Sequence, residues 1–124
     1  MPELAAIAYV SSASAPLDEP ALETLLLAAR SRNEALGITG ALLYDDGSFF
    51  QYLEGPAEAV RSVYDSIRGS PLHHGLIELL NRRIDHRHFD GWSMGFARVP
   101  RSLVLKLAQA SWIHVVTRSR EAAD

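Results

Sequence analysis

Three polar side chains stand where apolar ones would be expected. Tyr9 shares a period-2 face with Ile7, and Gln51 lies between Phe49 and Leu53 on one face of another extended run. Asn33 falls on the helical stripe of Leu22, Leu26 and Ala29. A buried phenol or amide is tolerated only when hydrogen-bonded, so each of the three alone reads as a satisfied core polar group. Together they read differently. A phenol and two amides converging from two strands and a helix suit a flat ligand with both donors and acceptors, gripped between two helices. A phenol can also give up an electron when its proton leaves through a neighbouring amide. Gln can exchange its donor and acceptor ends at little cost in volume.

Other chemistry-bearing patterns are weaker. Gly91-Trp92-Ser93-Met94-Gly95 matches the G-x-S-x-G nucleophile elbow. The elbow needs a strand-to-helix turn followed by an acid and then a histidine, whereas this segment reads as continuous strand with no acid between Ser93 and His114. Asp45 and Asp46 precede Gly47 and belong to a turn. His73, His74, His86 and His88 lack carboxylates at matching spacing, so no metal site is expected. Gly37-Ile38-Thr39-Gly40 lacks the spacing of a phosphate loop.

The elements that must position Tyr9, Asn33 and Gln51 follow from periodicity and punctuation. Leu4 to Ser11 reads as a strand. Asp18 is an N-cap with Pro20 in the first turn, and Gly37 closes that helix as a C′ residue. Ile38 to Tyr44 and Ser48 to Glu54 form a hairpin around Asp45-Asp46-Gly47. Gly55-Pro56 opens a second helix with Val60, Val63, Tyr64 and Ile67 on its apolar side. Residues 76–84 and 91–98 read as further strands, the latter with Trp92, Met94 and Phe96 on one face, and 101–110 as a short helix. The first six elements are those of the ferredoxin-like unit. The expected fold is therefore an α+β ferredoxin-like sandwich, a five-stranded mixed sheet with two helices on one face. Apolar residues on both sides of the strands require the second face to be covered too, and a C-terminal helical segment is the natural cover.

The chain has 124 residues, room for one core. Hydrophobic residues at 48% and charged residues at 22% exclude disordered and fibrous classes. A net charge of −3 argues against nucleic-acid binding. The absence of cysteine excludes disulfides, thiolate catalysis and thiolate metal sites. No run approaches the about 20 apolar residues of a membrane span, and the amino terminus lacks a basic signal-peptide region, so a cytoplasmic location is expected. Residues 1–97 carry seven basic and thirteen acidic groups, net −6, whereas 98–124 carry five and two, net +3. With Pro100 at the boundary, this divides the chain into a core of residues 1–98 and a C-terminal helical extension of residues 99–124.

Over about residues 4 to 98 the sequence resembles the BLUF family of blue-light sensors that use flavin. The resemblance rests on Tyr9-Val10-Ser11, Ala29-Arg30-x-x-Asn33, Gly37-Ile38-Thr39-Gly40 and Leu42-Leu43-Tyr44. It continues through Gly47-x-Phe49-x-Gln51-x-Leu53-Glu54-Gly55 and Arg87-x-Phe89-x-x-Trp92-Ser93-Met94-Gly95-Phe96. It implies non-covalent FAD, or FMN or riboflavin in its place, between the first two helices. By the same resemblance Tyr9 is the light-driven electron and proton donor, and Gln51 is the amide bridging Tyr9 and the flavin. Asn33 and Arg32 lie at the ring edge, and Trp92 and Met94 are the pair of which one lies beside Gln51. The family commonly has Asp-x-Arg-His after the second helix; here the segment is Ser70-Pro71-Leu72-His73, so only His73 matches and the grip on the ribityl-phosphate end is reduced.

The function so implied is a photoreceptor rather than an enzyme, since no catalytic domain follows residue 98. It would signal through contacts with a downstream protein or within a homo-oligomer, a dimer in the first instance. The apolar residues between 101 and 116 would supply that interface. The alternative is a light-insensitive ferredoxin-like ligand-binding or dimerisation module. A small acylphosphatase-like hydrolase would need a phosphate-cradling loop after the first strand, and Ser11-Ser12-Ala13-Ser14-Ala15 has neither glycine nor a nearby arginine.

Overall fold

The structure, a computed structural model, describes residues 3–45 and 47–98. Local signals set its first elements. Strand β1 (Leu4–Ala13) leads into helix α1 (Glu19–Leu36). The Asp18 carboxylate caps α1 by accepting from the Ala21 N–H at 2.9 Å. Gly37 ends the helix in the left-handed region at φ 71°, and the next N–H, of Ile38, returns to the Asn33 carbonyl at 2.8 Å. The four buried residues of α1 are Leu22, Leu26, Ala29 and Asn33, the stripe expected from spacing.

Strands β2 (Thr39–Tyr44) and β3 (Ser48–Pro56) form the hairpin. Asp45 Oδ1 organises its turn, accepting from the N–H groups of Gly47 at 2.9 Å and Ser48 at 2.5 Å. Helix α2 (Ala57–Arg68) follows without a side-chain cap, but its first N–H donates to the Glu3 carbonyl at 2.9 Å. Strand β4 (His73–Ile84) then pairs with β1, and β5 (Gly95–Arg98) completes the described chain.

The sheet order is β4-β1-β3-β2-β5. The first four strands are antiparallel, and the four-residue β5 adds in parallel beside β2. One face carries Ile7, Tyr9, Leu42, Phe49 and Leu53 against Leu22 and Leu26 of α1 and Val60, Val63 and Tyr64 of α2. The other face buries Ala6, Ala8, Phe50 and Tyr52 with Phe89 from the loop after β4. The C-terminal helical extension expected to cover that face, residues 99–124, lies outside the described residues.

Two expectations are corrected. Strand β4 starts at His73 rather than residue 76, because two register irregularities opposite β1 let the ladder run past Gly75. Residues 91–94 are turn, not strand. Gly91 takes φ 87° and the Trp92 N–H closes onto the Phe89 carbonyl at 3.0 Å, so pairing with β2 begins only at Gly95. The period-2 face proposed for Trp92 and Met94 therefore does not form. Trp92 is 41% exposed and Met94 is 3% exposed.

Gly40 of β2 faces the β3 backbone with no room for a side chain. A Cβ there would lie 1.9 Å from the Tyr52 carbonyl oxygen, which is backbone and cannot swing away. Gly40→Ala is expected to destabilise the fold by at least about 1–3 kcal/mol, read as a lower urea midpoint at unchanged m.

Candidate functional site

Tyr9 and Gln51 are direct partners in the β1–β3 ladder, and Leu42 is the partner of Gln51 on the β2 side. Directly opposed residues point to the same face of a sheet. The three therefore project together toward the helices, and the Tyr9 hydroxyl donates to Gln51 Oε1 at 2.5 Å. The other end of the amide, Nε2, faces the Met94 sulfur at 3.8 Å. This orientation follows from the donors present. The phenol needs an acceptor, and the thioether is a weak acceptor that can take only a donor.

These residues form the floor of a cleft between α1 and the C-terminal end of α2. Tyr9, Leu42, Phe49 and Gln51 come from the sheet, and Leu25, Ala29 and Arg32 from α1. Ser66, Ile67, Ser70, Leu72 and His73 close the far side. The His73 ring stacks on Tyr9 with centroids 5.9 Å apart, and Tyr64 approaches Tyr9 at the same separation. His73 Nε2 meets the Ile67 carbonyl at 2.7 Å and must donate to it, while Nδ1 is buried and without a hydrogen-bond partner.

Burial holds the Tyr9 phenol well above its ordinary ionisation range, with the Arg32 guanidinium opposing and Tyr64 adding to the rise. Burial likewise draws Arg32 below its usual value, and Tyr9 works against that. Tyr64 is pushed up to about 12, first by burial and then by its hydrogen bond to Glu78 and that residue's charge.

Of the residues singled out from the sequence, Tyr9, Arg32, Gln51 and His73 line one cleft. Met94 reaches it through Gln51. Trp92 stands away, its ring against Phe89 at 5.4 Å and over Gly95. Asn33 is fully buried and is not among the residues that line the cleft. Its Oδ1 accepts from Arg32 Nε and Nη2 at 3.2 and 3.1 Å, and its Nδ2 donates to the Ser93 carbonyl at 2.7 Å. It thus aims Arg32 and anchors the 91–94 turn. Sequence reasoning gave no role to Arg30, whose Nε donates to the Met94 carbonyl at 3.0 Å, or to Glu54, buried on the opposite sheet face. The available signal for Glu54 was a charged residue on the same face as Phe50 and Tyr52.

The fold and cleft define a small-molecule-binding α+β sandwich. Residues 4–95 match the model of the BLUF family, sensors of blue-light using FAD, and the chain belongs to that family. The solved dark state of BlrB, a BLUF protein, superposes with a TM-score of 0.73 at 33% identity, over 88% of this chain and 84% of that one. BlrP1 of Klebsiella pneumoniae, solved with FMN and cyclic diGMP, gives 0.71 at 32% identity over 86% of this chain and 29% of its own. The photoactivated adenylate cyclase subunit beta of Euglena longa is 35% identical over 92 residues, 73% of this chain and 11% of the relative. The chain spans about a tenth of the length of such curated relatives. The family binds flavin, and the cleft suits the ring: apolar walls at Leu25, Leu42 and Ile67, hydrogen-bonding groups at Gln51 and Arg32, and a buried, unpartnered ring nitrogen on His73. No helix among the described residues is long and apolar enough to cross a membrane.

The buried phenols carry a pH prediction. Tyr9, Tyr52 and Tyr64 all ionise at higher pH in the folded chain than the ordinary value of 10.0. The unfolded chain therefore loses these protons first. Stability should be unaffected by them below pH 10 and fall as pH rises beyond it, by up to about 1.4 kcal/mol per pH unit for each phenol. Urea midpoints taken from pH 8 to 12, with phenolate absorbance followed in parallel, check this. Phenolate from these residues should emerge with unfolding rather than before it.

Proposed function

We propose that this chain senses blue light through a flavin held in the cleft between α1 and α2, with Tyr9 as electron and proton donor and Gln51 as the switching element. The observation that carries the reading is the hydrogen bond from Tyr9 to Gln51 at the floor of that cleft. Bound flavin supplies a blue-absorbing chromophore whose excited state takes up an electron. The rest is work for the chain's own residues. Burial keeps Tyr9 protonated, so an electron leaving the ring makes its proton strongly acidic, and Gln51 Oε1 stands ready to receive it. Once that donor is lost, the Gln51 amide can reverse or change tautomer. Reversal puts Oε1 in place of the Nε2 donor that faces Met94, and the tautomer leaves that nitrogen with a single hydrogen. Met94 and the turn before it then carry the change out of the cleft. Arg32, aimed by Asn33, and His73 hold the ring edge and the side-chain end of the ligand.

The cleft lining includes Ser70 and Leu72 where a carboxylate and a guanidinium would grip a ribityl phosphate. FAD, FMN and riboflavin should accordingly bind this chain with similar affinity. Titration of ligand-free protein should place FAD within about tenfold of riboflavin, or 1.4 kcal/mol. A much larger preference would mean that a basic residue outside the cleft lining takes the phosphates.

The function itself is tested by absorption. Flavin-loaded protein should be yellow, shift its blue band to the red under blue light and recover in darkness. Tyr9→Phe and Gln51→Leu should retain flavin and lose the shift. A normal shift in either variant would remove these residues from the mechanism, and no shift in the parent protein would favour a light-insensitive binding module.

A further inference from the structure

Glu54 is fully buried on the sheet face opposite the cleft. A carboxylate so placed requires donors for its lone pairs, and four are supplied. Oε1 accepts from the His88 N–H at 2.7 Å and the Tyr52 hydroxyl at 3.1 Å. Oε2 accepts from the Phe89 N–H at 2.7 Å and the Thr39 hydroxyl at 2.9 Å. Thr39 is itself oriented by Arg87 Nη1 at 3.0 Å, while Arg87 Nη2 donates to the Gly37 carbonyl at 2.6 Å. One side chain therefore ties the start of β2 and the end of β3 to the turn at residues 87–89.

That turn leads directly to the switch. The Phe89 carbonyl accepts from the Trp92 N–H at 3.0 Å, and the Trp92 carbonyl accepts from the Gly40 N–H at 2.9 Å. Two residues later Met94 places its sulfur against the Gln51 amide. Asn33 and Arg30 hold the far end of the segment from α1, through Ser93 and Met94. The Glu54 cluster fixes its near end, at the His88 and Phe89 N–H groups. We propose that Glu54 is a positioning residue for the switch: by holding the 87–89 turn it seats Met94 on Gln51 and so keeps Gln51 Oε1 directed at Tyr9. The inference rests on the light-sensing reading for its consequence, not for the geometry.

Glu54→Gln is the discriminating variant. It preserves shape and volume, but an amide has one acceptor oxygen where four donors now converge, and its NH₂ would oppose N–H groups. Two measurements on the full chain test the proposal. In flavin-free protein, hydrogen exchange at the Gly40 and Phe89 amides should quicken by about tenfold or more in Glu54→Gln. In flavin-loaded protein the same variant should change the dark-recovery rate several-fold. Val60→Ala, a core truncation under α2 outside the cleft lining, supplies a control that lowers stability without removing a hydrogen bond to the 87–94 segment. It should leave the dark-recovery rate near the parent value and quicken Gly40 and Phe89 exchange no more than that of the other slow amides. Arg87→Gln, at the half-exposed edge of the cluster, should move both in the same direction by a smaller factor, and decides the matter if Glu54→Gln does not fold. Exchange at Gly40 unchanged in the Glu54 or Arg87 variant, or a recovery rate no different from that of Val60→Ala, would overturn the proposal. A parent protein with no light response would instead overturn the light-sensing reading, with the exchange data still judging Glu54.

Discussion

The site depends on the register between β1 and β3. Tyr9 and Gln51 can share a hydrogen bond because they are direct partners in the ladder and both point to the helix face. Side chains alternate with period two, so a slip of one residue would send one of them to the opposite face and dissolve the cleft floor. Much of the surrounding local chemistry defends that register. Asp45 fixes the turn that aligns β2 with β3, and Gly40 lets those strands close to a distance no side chain would allow.

A second constraint is that a core with polar groups on both sheet faces must satisfy nearly all of them. On the cleft side the amides of Gln51 and Asn33 are engaged at both ends. On the far side Glu54 gathers two backbone and two hydroxyl donors. Burial, reinforced by the neighbouring Glu54 carboxylate, raises the Tyr52 phenol well above its ordinary range, which keeps it a donor to that carboxylate. The groups left without partners are therefore informative. His73 Nδ1 is such a group in the wall of the cleft, where a ligand can meet it.

The turn at residues 87–94 links the two faces. It receives bonds from α1 through Arg30 and Asn33, from β2 through Gly40 and from β3 through Glu54. Its Phe89 ring meets Tyr52 on the far face at 5.2 Å, and its Met94 sulfur meets Gln51 on the near face. The Gln51 amide and the buried Phe50 and Tyr52 are thus joined by a short packed route through this turn. A packed core tolerates discrete rearrangements better than gradual ones.

The order of the elements as far as β5, the α1 stripe ending in Asn33, both ends of α1 and the hairpin were legible in the sequence. They arise from periodicity and from caps and turns whose partners lie within a few residues. The family was legible for a related reason, since its motifs sit on those elements. The 91–94 segment was not. Its alternation of polar and apolar residues reads as strand, but its conformation is decided by Asn33 and Glu54, sixty and thirty-five residues away from the groups they bind. The same holds for which side chain meets Gln51. Trp92 and Met94 are equivalent by period, and only the turn that forms against α1 and β2 exposes one and buries the other. Short-range spacing determined which elements exist and which faces they bury. Hydrogen bonds between segments distant in the chain, required because buried polar groups must find partners, decided how the cleft residues and Met94 meet.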